Sequence, residues 1–341
     1  MHLTKFQQSI LYELDKDGRA SYSTIAKNTH STPQTIKYNY EKLMNEGYIK
    51  HFWAFVDYDL AGYSFFWGYW LKFAGLTKSQ ETKMYQDFTN NQFIPIIMRT
   101  DGYADVMLGI IAKDVFHHNE VLNSVFAKYG QYISSSDIVV GLGFIKFPRS
   151  YLANTKNTAK KFYTSGGTPI IAKLTEIDRK IISLLQIDGR LEFTKIARLL
   201  NVSTGLIHQR FKKLQAEKVI TKITYTMNYQ KLGLHLYRCL FKIIQFDSRR
   251  VQDLYNFCAI HPHIINYVKV MGNWQLMLDI EIDSRENLRD LIRELRHRFQ
   301  DIIHQIAINE VYQIDKFTQM AIEYPATIQN TSSQTLNGNL H

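Results

Sequence analysis

The sequence predicts an α+β protein in which the same two-domain unit occurs twice. Three observations lead to this fold class: an internal repeat that keeps its register, apolar residues at helical spacing near the start of each copy, and an alternation of strands and helices after it. The length of 341 residues agrees with several domains. Single hydrophobic cores seldom grow beyond about 250–300 residues.

The repeat is carried by Asp17-Gly18-Arg19, which recurs as Asp188-Gly189-Arg190 at an offset of 171 positions. The same offset aligns three further pairs: Leu3-Thr4 with Leu174-Thr175, Ile25-Ala26 with Ile196-Ala197, and Lys42-Leu43 with Lys213-Leu214. A register kept without a gap over about sixty residues indicates a tandem duplication. The expected boundaries are 1–60 and 174–232 for the first domain of each copy, 61–148 and 233–324 for the second, 149–173 for a polar linker, and 325–341 for a disordered tail.

The first domain of copy one is predicted to hold three short helices followed by a wing. Ile10 and Leu14 fall on one face of the first helix, and Gly18 ends it with a left-handed cap available. A second helix and a tight connection lead to a third helix that begins near Thr32, and residues 48–58 alternate like a hairpin wing. Copy two repeats this plan. Both copies are therefore predicted to begin with a winged helix-turn-helix, whose last helix lies in the DNA major groove.

The outward arc of each third helix is predicted to contact duplex DNA, because polar side chains there can read base edges and cations can bind phosphates. The net charge of +10 agrees with a polyanionic partner. The base-reading candidates are Gln34, Thr35, Lys37, Tyr38, His208, Gln209 and Arg210; the phosphate-binding candidates are Lys42, Lys212, Lys213 and Lys222; Thr32, Ser203 and Thr204 stand at the helix starts.

The two copies differ in charge. Residues 174–224 hold ten Lys or Arg against five Asp or Glu, whereas residues 3–52 hold seven against five, and Glu41 lies on the copy-one arc itself. Copy two is therefore expected to bind DNA more strongly. Winged helices also act as protein–protein modules, and this is the alternative for copy one.

The second domain of each copy alternates strands and helices in the order βαββαβ, typical of a ferredoxin-like sheet of four antiparallel strands under two helices. In copy one the predicted strands are 64–73, 93–100, 104–112 and 136–147, with helices at 79–90 and 115–129. The run FFWGYWLKF, residues 65–73, would place large apolar side chains on the bare face of that sheet. Such a patch needs a cover. The two copies could cover each other within one chain as a pseudo-dimer, or between chains in a homo-oligomer.

Both copies resemble the Lrp/AsnC (feast/famine) family of bacterial and archaeal transcription regulators. The resemblance is carried by residues 174–181, Asp188-Gly189-Arg190, Ile196-Ala197 and residues 203–214, and it extends over both copies apart from the linker and tail. Copy two is the closer match, because Arg210 occupies a usual basic position of the family where copy one has Asn39. The resemblance implies a sequence-specific regulator that binds double-stranded DNA. Its winged helix-turn-helix would be joined to a ferredoxin-like effector-binding and oligomerisation domain.

The resemblance also implies an amino-acid effector close to the loop between the second and third strands of each ferredoxin-like domain. The corresponding residues are Gly102, Tyr103 and Asp105 in copy one and Gly272, Asn273 and Gln275 in copy two. Copy two lacks the carboxylate that could pair with an effector's ammonium group. A plain hairpin turn, in which glycine supplies a positive φ, is the alternative interpretation of both loops.

Enzyme signals are few, and neither a cofactor nor a metal site is expected. The chain has no phosphate-binding glycine loop, HExxH pair or nucleophile elbow, and its histidine pairs, His117-His118 and His261/His263, have no cysteine pair or acidic cluster beside them. The enzymatic alternative is a sirohaem decarboxylase, since such enzymes resemble the same family. A carboxylate-rich tetrapyrrole needs several arginines in one pocket, whereas copy one with its linker holds only Arg19, Arg99 and Arg149. With no apolar leader or membrane-length apolar run, the protein is expected in the cytoplasm.

Overall fold

The computed structural model of the chain describes residues 3–63, 65–153, 163–166, 171–244 and 247–318. The elements of copy one are α1 (Lys5–Lys16), α2 (Tyr22–Asn28), α3 (Pro33–Asn45), β1 (Ile49–Val56), β2 (Phe65–Phe73), α4 (Lys78–Asn90), β3 (Ile96–Gly102), β4 (Val106–Ala112), α5 (Val115–Tyr129) and β5 (Ile133–Lys146). A short strand, β6 (Tyr163–Ser165), precedes copy two. The elements of copy two are α6 (Glu176–Ile187), α7 (Phe193–Leu200), α8 (Thr204–Ala216), β7 (Ile220–Met227), α9 (Tyr229–Leu232), β8 (His235–Ile243), α10 (Ser248–Ile260), β9 (Ile264–Gly272), β10 (Leu276–Ile282), α11 (Arg285–Arg298) and β11 (Ile303–Phe317).

The three helices at the start of each copy, with the strand that follows them, form a helix-turn-helix unit, called here the head of that copy. The first helix of each head begins with a capping box, in which Thr4 pairs with Gln7 and Thr175 with Asp178. The two reading helices, α3 and α8, begin at capped residues in the same way. The three-helix prediction is therefore confirmed in both copies.

The predicted hairpin wing is wrong. Each head contributes a single strand, and β1 of copy one pairs antiparallel with β7 of copy two, with Phe52 opposite Tyr225. The reason is burial: almost all of β1 is covered, which a solvent-exposed hairpin could not provide. The side chains of both heads join in one hydrophobic core that includes Leu14 and Leu185. The two heads thus form one unit, the head pair.

The repeated Asp-Gly-Arg turns join the two heads to each other. The Gly18 N–H donates to the carbonyl of Ile223 at 2.9 Å, and the Gly189 N–H donates to that of Phe52 at 2.8 Å. A Cβ on either glycine would lie 2.8 Å from the facing backbone. Neither glycine has a positive φ, so the expected left-handed cap at Gly18 is wrong, and the glycines are needed for the close approach instead.

The flanking arginines complete this contact reciprocally. Arg19 donates to the carbonyl of Gly189 at 2.7 Å, and Arg190 donates to that of Gly18 at 2.9 Å. Each guanidinium also lies over an aromatic ring of the other copy, Arg19 over Phe193 and Arg190 over Tyr40. The repeated motif therefore builds a pseudo-twofold contact between the heads.

The ferredoxin-like domains of both copies form one closed sheet, called here the body. Within each copy the antiparallel order is that of the ferredoxin-like arrangement, β5-β2-β4-β3 and β11-β8-β10-β9. The last strand of each copy continues past its own sheet, so that β5 also pairs with β9 and β11 also pairs with β3. These pairings close a ring of eight strands, to which β6 adds at β5. The chain therefore forms a pseudo-dimer within itself, the intramolecular alternative left open by the sequence.

The two faces of the sheet bury different parts of the run at 65–73. Trp67, Tyr69 and Leu71 pack under α4 and α5 in the core of copy one. Trp70 points to the opposite side and joins a core shared with residues of copy two such as Leu240. The bare face is thus covered by the second copy, as predicted. Copy two has its own helix-covered core.

Several described residues of the predicted linker, 149–173, pack against the rest of the fold. Arg149 is 3% exposed and Ser150 and Leu152 are buried, in a short 3₁₀ turn that follows β5. Farther along, the Ser165 hydroxyl donates to the carbonyl of Val56 at 2.9 Å. Residues 154–162, 167–170 and the tail at 325–341 lie outside the described residues, as does Ser64 at the start of the predicted first strand. In the part of the chain that the structure describes, no helix has the length and apolar character required to cross a bilayer.

Candidate nucleic-acid interface

The reading helices α3 and α8 each bury one face and expose the opposite one. Ile36 and Leu43 anchor α3 in the core of the head pair, and Ile207 and Leu214 anchor α8. The exposed residues of the first turns and outer arcs are Thr32, Gln34, Thr35, Lys37, Tyr38, Glu41 and Lys42 in copy one, and Ser203, Gly205, His208, Gln209, Lys212 and Lys213 in copy two. Thr204 is half-buried. Most of the residues selected from the sequence therefore share one exposed surface on each helix.

The first turns of both helices are arranged in the same manner. The hydroxyl of Thr32 accepts from the Thr35 N–H at 3.2 Å, and that of Ser203 accepts from the Leu206 N–H at 3.2 Å. These caps leave other backbone N–H groups of each helix start directed outward, where a phosphate oxygen can bind.

The charges on the two arcs differ. In copy one, Lys37 lies 3.8 Å from Glu41, so its charge is partly compensated. Lys212 is the counterpart of Glu41 in the repeat, and no ion pair involves it among the residues described. The same point on the two helices is therefore negative in copy one and positive in copy two. Tyr38, with 66% of its surface exposed, adds a large aromatic ring to the copy-one arc.

The expected base-reading role of Arg210 is not what its contacts indicate. Its guanidinium Nη1 lies 3.6 Å from Oδ2 of Asp178, and only 27% of the side chain is exposed. The same Asp178 oxygen accepts the backbone N–H of Thr175 in the capping box. Arg210 therefore lies on the flank of α8 and joins it to α6. In copy one both partners are replaced together, since Gln7 and Asn39 occupy these positions.

Lys222 does not belong to the DNA-contacting surface. The residue is 4% exposed, and its Nζ lies 3.8 Å from Oδ1 of Asp15. Burial lowers the pKa of Lys222 to about 8. Because β7 pairs with β1 rather than forming an open wing, this side chain points into the protein, and the predicted phosphate contact is wrong.

The two loops proposed from the sequence for an effector are tight hairpins between β3 and β4 and between β9 and β10. Gly102 and Gly272 have φ values of 131° and 141°, and a Cβ there would lie 2.4 and 2.5 Å from a facing carbonyl oxygen. Asp105 accepts the N–H of Phe73 at 2.8 Å, and Gln275 accepts that of Ile243 at 2.9 Å. Asp105 and Gln275 therefore perform the same structural task in the two copies.

Asp137 of β5 joins the two loops, which sequence reasoning missed. Its carboxylate accepts hydrogen bonds from the Tyr103 hydroxyl, from Nδ2 of Asn273 at 2.6 Å and from Nε1 of Trp274 at 3.1 Å. No local pattern around residue 137 indicates this role, because its three donors come from distant parts of the chain.

A cavity of about 610 Å³ lies beside Asp105, where copy one meets copy two. Its polar lining comes from both copies: Glu81, Tyr85, Thr100, Asp101, Asp105, Arg285, Glu310 and Tyr312. Arg285 is the one guanidinium among the lining residues, and it lies 3.0 Å from Glu310. The cavity is therefore rich in carboxylates and suits a ligand that carries a positive charge.

The corresponding place on the other side of the body has changed character. In this part of the chain the copies are offset by 170 positions, as Gly102 and Gly272 show. The counterparts of Arg285, Glu310, Tyr312 and Asp101 are Val115, Val140, Leu142 and Met271. Met271 is 57% exposed, so the apolar side is open to solvent. The polar cavity is thus built on one side of a pseudo-symmetric body.

The described residues offer histidines and carboxylates, the usual ligands of metal ions, at many places. No group of three or more His, Cys, Asp or Glu side chains among the described residues is placed to hold an ion. His118 stacks on Trp67 at 3.9 Å and bonds to the Tyr69 hydroxyl, and His117 packs its edge against Phe93. These histidines are satisfied within the fold.

Comparison with known proteins agrees with the head geometry. A family model described as an AsnC-type helix-turn-helix domain matches residues 174–215, and one described as winged helix-turn-helix DNA-binding matches residues 3–50. An uncharacterised HTH-type transcriptional regulator of Pyrococcus furiosus is 31% identical over 123 residues, which cover 36% of this chain and 82% of the relative. The HTH-type transcriptional regulator FL11 of the same organism is 26% identical over 119 residues, 35% of this chain and 78% of the relative.

The arrangement of the whole chain also has a precedent. The crystal structure of the siroheme decarboxylase NirDL is similar with a TM-score of 0.60 at 12% identity, and the match covers 99% of this chain and 100% of that one. At this identity the likeness concerns the fold. Both heads match helix-turn-helix family models, and the match to the 31% identical relative covers 82% of that protein. The chain therefore belongs to the Lrp/AsnC family of helix-turn-helix transcription regulators.

Proposed function

We propose that this regulator binds duplex DNA through two unequal heads, with copy two supplying most of the phosphate contact. The observation that carries the proposal is the opposite charge of Lys212 and Glu41 at equivalent exposed points of α8 and α3. Each phosphate neutralised by a lysine releases counterions, so copy two gains affinity where copy one loses it.

The base-reading contacts belong to the remaining exposed polar residues of both arcs. In copy two these are His208 and Gln209; in copy one they are Gln34, Thr35, Lys37 and Tyr38. Lys42 and Lys213 are equivalent and flank the arcs as phosphate ligands, while Thr32, Ser203 and Thr204 hold the helix starts. Because the two arcs offer different side chains, the preferred DNA has two half-sites of different sequence.

The test is binding to duplex DNA from upstream of the protein's own gene and to unrelated duplex, each over a salt series. Replacing Lys212 and Lys213 by Ala weakens binding to every sequence and flattens the salt dependence by about one unit of slope per lost contact. The comparison variant replaces the two lysines of the copy-one arc, Lys37 and Lys42, by Ala and should have a smaller effect, because Glu41 partly compensates the charge of Lys37. Equal losses from the two variants would contradict the inequality of the heads.

We further propose that the polar cavity between the copies takes an amino acid or a related small molecule as effector. Glu81 and Asp101 line it and suit an ammonium group, while Arg285 suits a carboxylate. Thermal-shift measurements against single amino acids test this. A shift that Asp101→Asn abolishes and Met271→Ala leaves intact supports the site. A shift that both variants retain places the ligand elsewhere.

The chemistry of the cavities disfavours a tetrapyrrole enzyme. The cavity of about 610 Å³ presents several carboxylates, which repel a polyanionic macrocycle, and its one arginine is paired with Glu310. A second cavity, of about 30 Å³, has one arginine in its lining, Arg238, and that side chain is held by Asp279 at 2.5 Å. Added sirohaem should therefore leave its absorbance spectrum unchanged in the presence of the protein. A shifted spectrum would restore the decarboxylase alternative.

A further inference from the structure

A buried ionic cluster lies where the copy-one head meets the copy-two half of the body. Arg149 donates from Nη1 to Oδ1 of Asp15 at 2.8 Å and from Nε to Oε2 of Glu281 at 2.8 Å. The arginine side chain is 4% exposed, and both carboxylates are fully buried. The three residues come from α1, the turn after β5, and β10, so the cluster, called here the ionic joint, connects three separate parts of the chain.

The surroundings of the ionic joint satisfy its remaining polar atoms. The hydroxyls of Tyr151 and Tyr229 both donate to Glu281, the second at 2.9 Å. Lys222 approaches Asp15 from β7. Burial alone would raise the pKa of Asp15, but the charges of Lys222 and Arg149 hold it well below its usual value. Asp15 is therefore ionised, and the joint is a charged, hydrogen-bonded contact with a defined geometry.

The opposite corner of the molecule lacks this joint. The repeat places Gln186 at the position of Asp15, His51 at that of Lys222 and Ile111 at that of Glu281. Burial lowers the pKa of His51 to about 4, so it is neutral at physiological pH. Ile111 is fully buried in the core of the head pair. The sequence counterpart of Arg149 is Gln319, which lies outside the described residues.

We propose that the ionic joint is a one-sided lock between the head pair and the body, and that the head pair tilts by opening at the opposite corner. The head pair moves as one unit because its two heads share a core and the β1–β7 pairing. Directional hydrogen bonds to charged groups hold the copy-one corner in one orientation. The apolar contact at Ile111 is non-directional and tolerates small displacements. Adjustment of the heads to DNA therefore occurs mainly on the copy-two side.

Distances between spin labels on the free protein test the lock without reference to DNA. Lys27 and Arg198 are equivalent exposed positions on the second helices of the two heads, and Thr82 and Gln252 are equivalent exposed positions on the body. Cys239 and Cys258 are buried, so labels attach to introduced cysteines. The pair K27C/Q252C reports the distance between the copy-one head and the copy-two half of the body. The pair R198C/T82C reports the opposite corner.

The expected result is a narrower distance distribution for K27C/Q252C than for R198C/T82C. Adding Arg149→Met should at least double the width of the first distribution and leave the second unchanged. If that variant fails to fold, Asp15→Asn keeps the shape of the side chain and should broaden the same distribution by a smaller factor. Arg99→Met is the matched control, because it breaks an ion pair with Asp315 within the body and should change neither width. Equal widths in the native protein, or a first distribution that neither joint variant broadens, would overturn the lock.

Discussion

The two reading helices are built alike and differ where they face solvent. Both α3 and α8 span thirteen residues, start at a hydroxyl cap and bury two equivalent anchors, Ile36 with Leu43 in α3 and Ile207 with Leu214 in α8. On the exposed arc Glu41 is replaced by Lys212 and Tyr38 by Gln209. After the duplication, the apolar residues that anchor the reading helices have therefore kept their chemistry, whereas those available to DNA have diverged.

The two copies have also diverged at two sites in or beside the body. The polar cavity has an apolar counterpart, and the ionic joint has a neutral one. In each case one copy retains charged residues while the backbone geometry of the hairpins, including Gly102 and Gly272, is the same in both. A single chain can assign different tasks to its two halves in this way, which a homodimer of identical chains cannot.

The largest effect on this comparison is expected from Arg149→Met. Removing the arginine leaves Asp15 and Glu281 buried without their main partner, so the free energy of unfolding should fall by about 3–5 kcal/mol. At the opposite corner Gln186 occupies the position of Asp15, and Gln186→Met removes no charge, so it should cost far less. Denaturant titration of both variants measures the difference. Similar losses would mean that the two corners are energetically alike.

The next effect concerns the contact that the two heads share. Gly18→Ala and Gly189→Ala each place a methyl group against the backbone of the other copy and should destabilise the protein by about 1–3 kcal/mol, by similar amounts. Gly143→Ala is the control, because its nearest neighbour is 3.9 Å away. Thermal denaturation of the three variants tests the pseudo-twofold contact. If Gly189→Ala lowered the melting temperature and Gly18→Ala did not, the contact would not be reciprocal.

A pH dependence separates the two corners. Burial, with a smaller contribution from Lys50, lowers the pKa of His51 to about 4. The unfolded chain therefore binds a proton between pH 6.5 and about 4 that the folded protein does not. Stability should fall on acidification through this window, with a contribution of up to about 1.4 kcal/mol per pH unit from one such group. His261, with a pKa of about 4 in the body, contributes in the same direction.

Replacing His51 by Gln should reduce the slope of the unfolding free energy against pH between pH 6.5 and 4. The contribution of His261 to that slope should remain. Unfolding midpoints measured at half-unit intervals of pH provide the test. An unchanged slope would show that His51 accepts a proton in the folded state.

The smallest effect is expected at Arg210. If this side chain joins α8 to α6 through Asp178, Arg210→Met should lower stability by about 1 kcal/mol and leave the DNA sequence preference unchanged. Selection of preferred duplexes from a randomised pool, performed with both proteins, measures the preference. A preference that relaxes at one base pair would restore the base-reading role predicted from the sequence.

The sequence was sufficient for the parts of the structure that depend on local pattern. The register of Asp17-Gly18-Arg19 with its copy revealed the duplication, and apolar spacing located the helices of both heads. The helix at 115–129 has the predicted bounds. The exposed arcs followed from the same spacing, because helical periodicity determines which side chains face outward.

The remainder depends on pairings between distant residues. The positive charge of Lys222 suits a phosphate ligand, and only the pairing of β7 with β1 reveals that the residue is buried. Arg149 stands in a polar stretch that looks like a linker, while its two partners lie more than 130 positions away. Asp137 similarly acquires its role from Tyr103 and Trp274. Contacts of this kind leave no periodic signal in one sequence.

The measurement that tests the inequality of the heads most directly is DNA affinity over a salt series for two charge reversals, Glu41→Lys and Lys212→Glu. We expect Lys212→Glu to weaken binding by roughly tenfold or more at moderate salt and to lower the salt slope. Glu41→Lys should strengthen binding and raise the slope, because it gives copy one the charge that copy two already has. The heads would not be unequal in this way if Lys212→Glu left the affinity and slope unchanged, or if Glu41→Lys weakened binding as much as Lys212→Glu does.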